Sequence, residues 1–167
     1  CLSSVKAFDE YTYNHSVNVS LYAMLTGTWL SFDEVRIKQL VTAGLLHDIG
    51  KSSIPIEILN KKGKLTDNEF ETMKKHPVYG YNIAKKIPEI PKPILSGILF
   101  HHEREDGKGY PMGLTGGNTD IFAKIIAVAD VFDALTSERV YKKRITPFDT
   151  FKIFESNGIG HFDVGVM

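Results

Sequence analysis

The sequence predicts an all-α fold, a compact bundle of six or seven helices, and three observations carry that prediction. Apolar residues recur at helical spacing in segment after segment. Several of these segments open on capping sequences and close on glycine or proline. No run of alternating β-branched residues marks a strand.

The 167 residues suffice for one well-buried domain and are too few for two comfortable ones. Twenty lysines and arginines balance 20 aspartates and glutamates. That balance argues against a non-specific binder of DNA or RNA polymer, although Arg139-Val140-Tyr141-Lys142-Lys143-Arg144 forms a local cationic patch. No apolar run approaches the roughly 18 residues of a membrane span, so no membrane contact is expected of this segment. The single cysteine, Cys1, excludes an internal disulfide framework and is compatible with a reducing cytoplasm. A cytoplasmic location is therefore expected, in a parent protein that could itself be membrane-anchored. With no initiator methionine and an end at Gly165-Val166-Met167, residues 1–167 read as one domain of a longer protein, cut before a final C-terminal helix.

The first helix is expected from Asp9 to about Leu25, with Val17, Leu21 and Met24 as its inward face and His15 in its first turns. Ser31-Phe32-Asp33-Glu34 is a capping-box sequence for a second helix. That helix is apolar around most of its circumference and delivers His47 and Asp48 at its end. Gly50 reads as its stop, and Lys51 adds a positive charge just beyond. A carboxylate ending a buried helix needs a compensating partner.

Asn60 to Lys64 reads as a solvated turn. Thr66-Asp67-Asn68-Glu69 is a second capping box, opening a helix through Phe70 and Met73 to His76. Pro77 disfavours helical geometry at His76 and places a break there. Val78 to Ile87 suits another helix. Ile94, Leu95, Ile98 and Leu99 then form an apolar stripe that ends in the adjacent pair His101-His102. Neighbouring positions on a helix point about 100° apart, so both can reach one metal ion only from the helix end.

Glu105 to Gly117 is glycine-rich, which allows unusual backbone angles and close approach to a ligand. Its glycine spacing is not that of a dinucleotide fingerprint, and no strand precedes it. Asp120 to about Ser137 is the most apolar helical stretch, interrupted by Asp130 and Asp133. Their three-residue step puts both on one helix face. Metal ligation or a buried ion pair accounts for Asp130 better than an unpaired carboxylate does. Thr146-Pro147 starts a last helix that ends at Asn157-Gly158, and His161 beyond it reads as structural.

His15, His47, Asp48, His76, His101, His102 and Asp130 thus form a candidate ligand set spread over five helical segments. Imidazole and carboxylate without thiolate suit iron, manganese or cobalt better than a structural zinc. Seven ligands exceed the needs of one ion. If Asp48 bridges, two ions can share it, which is the arrangement of a two-metal phosphohydrolase.

Taken together, His15, His47-Asp48 and Asp130 resemble the pattern of the HD phosphohydrolase superfamily. Lys51, His76, His101-His102 and Gly109-Tyr110-Pro111 are similar to the additions of its HD-GYP subfamily, the bacterial cyclic di-GMP phosphodiesterases. The similarity runs from about Asp9 to Asp163. It implies an all-helical HD-type bundle, a binuclear or trinuclear centre of iron or manganese, and hydrolysis of cyclic di-GMP to linear pGpG and on to GMP.

On this resemblance His15, His47, Asp48 and Asp130 would hold one ion, and Asp48, His76, His101 and His102 the other. Lys51 would touch the scissile phosphate, and Asp133 would orient the hydroxide or a ligand. Arg139 and Lys142 would bind the second phosphate, with Gly109, Tyr110 and Pro111 shaping the substrate wall. Trinuclear members carry a glutamate four residues before the first histidine. Tyr11 stands there instead, so two ions are expected. A phosphodiesterase for cyclic GMP-AMP and a catalytically silent cyclic-dinucleotide receptor are the competing expectations. Family resemblance also implies an upstream sensor or receiver domain and a diguanylate cyclase partner for the tyrosine-containing loop, while a homodimer is an expectation that the sequence leaves open.

Overall fold

The computed structural model describes residues 10–137, 145–157 and 160–167, the side chains of 10, 11 and 157 excepted. Among these residues, seven helices of two turns or more form the bundle. They are α1 (Glu10–Trp29), α2 (Glu34–Leu46), α3 (Asp67–Met73), α4 (His76–Ala84), α5 (Lys92–Phe100), α6 (Ile121–Thr136) and α7 (Pro147–Asn157). Short 3-10 segments at Ile49–Ser53 and Gly116–Asn118, and a single α-turn at Ile56–Leu59, occupy the connections. No strand forms among the described residues, and one isolated bridge pairs Asp106 with Thr115. The expected all-α class is the observed one.

Helix α6 runs through the middle, against α1 on one side and α5 on the other, while α2 packs on both α1 and α5. Their contact surfaces make the core: Val19 and Ala23 from α1, Leu40 and Ala43 from α2, Ile94 and Ile98 from α5, and Phe122, Ile125 and Ile126 from α6. Each large side chain buried there contributes about 1.5–3 kcal/mol. Helix α4 lies against α5 and against the 3-10 segment that follows α2.

Most expected caps are in place. The Thr66 side chain accepts from the Glu69 N–H while Glu69 bonds back to the Thr66 N–H. The Thr146 hydroxyl accepts from the Asp149 N–H at 3.2 Å, and Asp120, for which no cap was expected, caps α6 through the Phe122 N–H at 2.8 Å.

Four local expectations are corrected. Asp33, not Ser31, caps α2, accepting from the Arg36 N–H at 2.8 Å; Ser31 is in the left-handed region at φ 57° and forms the turn before the cap. The inward face of α1 is not Val17, Leu21 and Met24. Leu21 is 47% exposed, and the buried residues are His15, Ser16, Val19, Ser20 and Ala23. This face is polar and small because α2 crosses closely: a Cβ on Gly44 would stand 3.0 Å from the Ser20 Cα. Gly50 is not the helix stop, since α2 ends at Leu46 and Gly50 lies within the 3-10 segment. A side chain at Gly50 would meet the His76 carbonyl oxygen at 2.0 Å, so the glycine lets α4 approach. The break expected at His76 falls instead at Lys74 and Lys75, and His76 opens α4 with Pro77 in its first turn, where a missing N–H costs nothing.

Candidate metal centre

Five elements bring their polar ends to one buried point. His15 comes from the first half of α1, and His47 and Asp48 from the end of α2. His76 opens α4, His101 and His102 close α5, and Asp130 projects from α6. His15, His47, Asp48, His76 and His101 are all nearly inaccessible to solvent.

The histidines are aimed by their Nδ1 atoms. His47 Nδ1 lies 2.7 Å from the Gly44 carbonyl, His76 Nδ1 2.9 Å from that of Met73, and His101 Nδ1 2.9 Å from that of Ile98. Each partner is the carbonyl three residues back, which a helix end leaves unsatisfied. A carbonyl only accepts, so each Nδ1 carries the proton and each Nε2 presents a lone pair. His15 is held differently, by the Asp133 carboxylate, with Nδ1 2.6 Å from Oδ2.

The Nε2 atoms converge on Asp48. Its Oδ2 lies 3.3 Å from His47 Nε2 and 3.9 Å from His15 Nε2. Its Oδ1 lies 3.2 Å from His76 Nε2, on the other branch of the carboxylate. His76 and His101 face each other Nε2 to Nε2 at 3.3 Å. With both Nδ1 atoms protonated, two neutral rings there would turn lone pair to lone pair, an arrangement that asks for a cation between or beside them. His47 Nε2 and Asp48 Oδ1 are buried without a hydrogen bond, which is costly unless another partner is supplied. Two groups have the spacing to hold a metal ion: His15 with His47 and Asp48, and His76 with His101 and His102. The residues therefore fit divalent ions.

Electrostatics separates the two groups. Burial opposes charge on His15, but its bonds to Asp130 (3.1 Å) and Asp133 outweigh it and raise the pKa to about 9. Burial and the neighbouring histidines push His101 well below the ordinary imidazole value, and burial brings His102 to about 3. Burial opposes charge on Asp48, but the Lys51 ammonium outweighs it and holds the carboxyl well below its usual range. Asp130 is lowered by His15 and the other histidines against a similar penalty.

Lys51 donates to Asp48 Oδ2 at 2.5 Å from three residues on. Asp133 is fully buried and commits both oxygens: Oδ2 to His15, and Oδ1 to the Asn18 amide at 2.8 Å and the Ser137 hydroxyl at 2.7 Å. Arg139 and Lys142 lie outside the described residues, as does the side chain of Tyr11.

A cleft of about 420 Å³ opens from the cluster at His101, His102 and Asp130 and is walled by Gly109 and Tyr110. Tyr110 stacks on His102 with ring centroids 4.6 Å apart. Burial and the charges of Asp48 and Asp130 raise its pKa above the ordinary phenol value, so it stays a neutral donor. Gly109 has no room for a side chain, since a Cβ would stand 2.5 Å from the His102 carbonyl oxygen and the Glu103 Cα. Pro111 is not among the described residues lining the cleft.

Glu103 is a residue that the sequence did not single out. Buried beneath the glycine-rich loop, it accepts from the N–H groups of Met112 (2.6 Å), Gly113 (3.1 Å) and Leu114 (2.8 Å), fixing the loop to the histidine pair. Its place directly after His101-His102 and before the glycines was the available signal. His161, read as structural, is also among the residues that line the cleft.

The chain is similar to known proteins. The family model described as HD domain matches residues 5–166. The cyclic di-GMP phosphodiesterase PA4108 of Pseudomonas aeruginosa is 41% identical over 163 residues, covering 97% of this chain and 39% of that protein. A 3'3'-cGAMP-specific phosphodiesterase 3 of Vibrio cholerae is 36% identical over 153 residues, covering 92% of this chain and 33% of its own length. The chain thus spans about a third to two fifths of these relatives. Bd1817, an HDG"Y"P protein from Bdellovibrio bacteriovorus, superposes with a TM-score of 0.74 at 21% identity, over 91% of this chain and 48% of that one. At that identity the likeness speaks for the fold.

Proposed function

The chain belongs to the HD-domain family, and from that premise we propose that it is the catalytic domain of an HD-GYP cyclic di-GMP phosphodiesterase. It hydrolyses the 3′–5′ phosphodiester bonds of cyclic di-GMP, giving linear pGpG and then GMP. The observation that carries this reading is the Asp48 carboxylate, with one oxygen turned to His15 and His47 and the other to His76. A carboxylate so placed could serve both ligand groups if ions were bound. The names of the Pseudomonas and Vibrio relatives supply the substrate class, a cyclic dinucleotide.

In this reading His15, His47, Asp48 and Asp130 would hold the first divalent ion, and Asp48, His76, His101 and His102 the second, with iron or manganese as the metals. When bound, such ions polarise a phosphoryl oxygen and lower the pKa of water so that it attacks at neutral pH. The protein's own groups do the rest. Asp133 fixes the His15 ring so that its Nε2 faces the centre. Lys51, already at the Asp48 carboxylate, neutralises charge that develops on the phosphoryl oxygens. The Tyr110 phenol donates to the substrate from the cleft wall that it shares with Gly109. Arg139 and Lys142 grip the phosphate that does not react.

We assign two ions rather than three because Tyr11 occupies the position of the third-site glutamate; three ions per chain in protein loaded with iron or manganese would overturn that number. The Vibrio relative favours a second reading, in which cyclic GMP-AMP is the substrate. Incubating metal-loaded protein with each dinucleotide and separating the products decides between them. Turnover of neither leaves a silent receptor module and sinks the enzyme. For the whole protein we expect a cytoplasmic catalytic domain, a sensor or receiver domain upstream, a homodimer, and docking of a diguanylate cyclase on the Tyr110 loop. Among the described residues no helix is long and apolar enough to cross a membrane.

A further inference from the structure

The cleft extends well past the metal cluster, and its far wall has a chemistry that phosphate hydrolysis alone does not require. Phe70 on α3 lines it although the ring is 49% exposed. Phe162 lines it from the terminal turn. Neither position is filled for the sake of the core. Phe162 is braced edge-on against Phe154 of α7, with centroids 5.3 Å apart. The turn that carries it is tied down by Lys124, which reaches Glu105 at 3.1 Å and Asp163 at 2.7 Å, and by the Glu105 N–H donating to the His161 carbonyl. These ties make Phe162 a fixed surface.

Lys74 joins the same wall. Its ammonium is 5.4 Å from the centroid of Phe70 and 2.5 Å from the exposed carboxylate of Glu71. A surface pair of that kind is weak, so the lysine can exchange Glu71 for a ligand phosphate at little cost. Flat aromatic faces beside a cation are what proteins use to hold nucleotides, because every base offers a π-face to stack on. The volume is also ample for one nucleotide arm.

We infer that Phe70, Lys74 and Phe162 form a purine seat, in which the base attached to the reacting phosphate stacks on the Phe70 and Phe162 rings. The inference rests on the phosphodiesterase reading for its place in a reaction. The seat itself is tested without turnover.

Calorimetric titration of the manganese-loaded chain with GMP and with ribose 5-phosphate isolates the base, because the two ligands differ by the purine alone. GMP should bind at least about tenfold more tightly, the size expected of one stacked base. Phe70→Leu keeps an apolar side chain at a half-exposed position and should bring the two affinities within about twofold of each other. Phe70→Trp should preserve the preference. Lys74→Ala should weaken both ligands by a similar factor and leave their ratio intact. No preference in the unaltered chain, or a preference that survives Phe70→Leu, overturns the seat. A preference for GMP in a chain that hydrolyses no cyclic dinucleotide overturns the phosphodiesterase reading alone; turnover without the preference overturns the seat alone.

Discussion

The two halves of the ligand cluster solve the same problem in opposite ways. The half built from α1, α2 and α6 is rich in carboxylate: His15 is bonded to Asp133, lies 3.1 Å from Asp130, and is drawn towards the charged form. The half built from α4 and α5 is nearly all imidazole. His76 and His101 are fixed by helix-end carbonyls, and His101 and His102 are driven towards the neutral form. Asp48 faces both, with one oxygen towards each. A metal ion held by the first half would have to compete with the proton on His15, whereas the second half would offer imidazole lone pairs that are already free of protons. The difference teaches that ligand type is only part of a metal site, because the partner behind each ring sets what the ring presents.

The sharpest way to break this comparison is to remove the shared group. Asp48→Ala should abolish phosphodiesterase activity and both ions together, read by product analysis and metal counting on the same sample. Retention of either ion at full occupancy would mean that the halves are independent. Next in size, His101→Ala should leave about one ion per chain and lower kcat at least a hundredfold. Loss of both ions would place the halves under one cooperative control.

Asp133→Asn keeps the shape and removes the charge behind His15. It should weaken metal retention about tenfold to a hundredfold against a competing chelator, with the His76 half retaining its ion longest. If the two ions leave together at the parent rate, Asp133 does not support the first half.

The smallest effect is on folding stability of the chelator-treated protein. His15, raised to about 9, contributes stability that is complete below the unfolded value near 6.5 and is lost as pH climbs through about 9. His102, lowered to about 3, acts in the reverse direction: its contribution is complete above about 6.5 and is lost as pH falls towards 3. Urea midpoints should therefore peak between these limbs, with His15→Gln flattening the alkaline limb and His102→Gln the acid one above the range where carboxylates titrate. Midpoints that run one way from pH 5 to 9 would erase the distinction.

Much of this centre was legible in the sequence because helix periodicity and metal chemistry are local. An apolar stripe ending in His47-Asp48 or His101-His102 can be read without a partner, and so can the three-residue step from Asp130 to Asp133. The inward face of α1 was not legible. Leu21 and Leu25 look like core, yet Ser16, Ser20 and Ala23 are buried because α2 needs a close crossing at Gly44. Gly50 was legible as a glycine but not as a spacer, since the backbone it admits belongs to α4, about 26 residues later.

By itself the sequence determined the all-α class, the Thr66 and Thr146 caps and which histidines and aspartates to gather as candidate ligands, since each depends on side-chain type and short-range spacing. Only the tertiary structure decided which oxygen of Asp48 faces which histidine, that Asp133 stands behind His15, that Glu103 pins the glycine-rich loop, and that Phe70 and Phe162 share a cleft with the metal ligands. These relations join helices far apart in the chain. They are fixed by how α1, α5 and α6 pack, which no local pattern records.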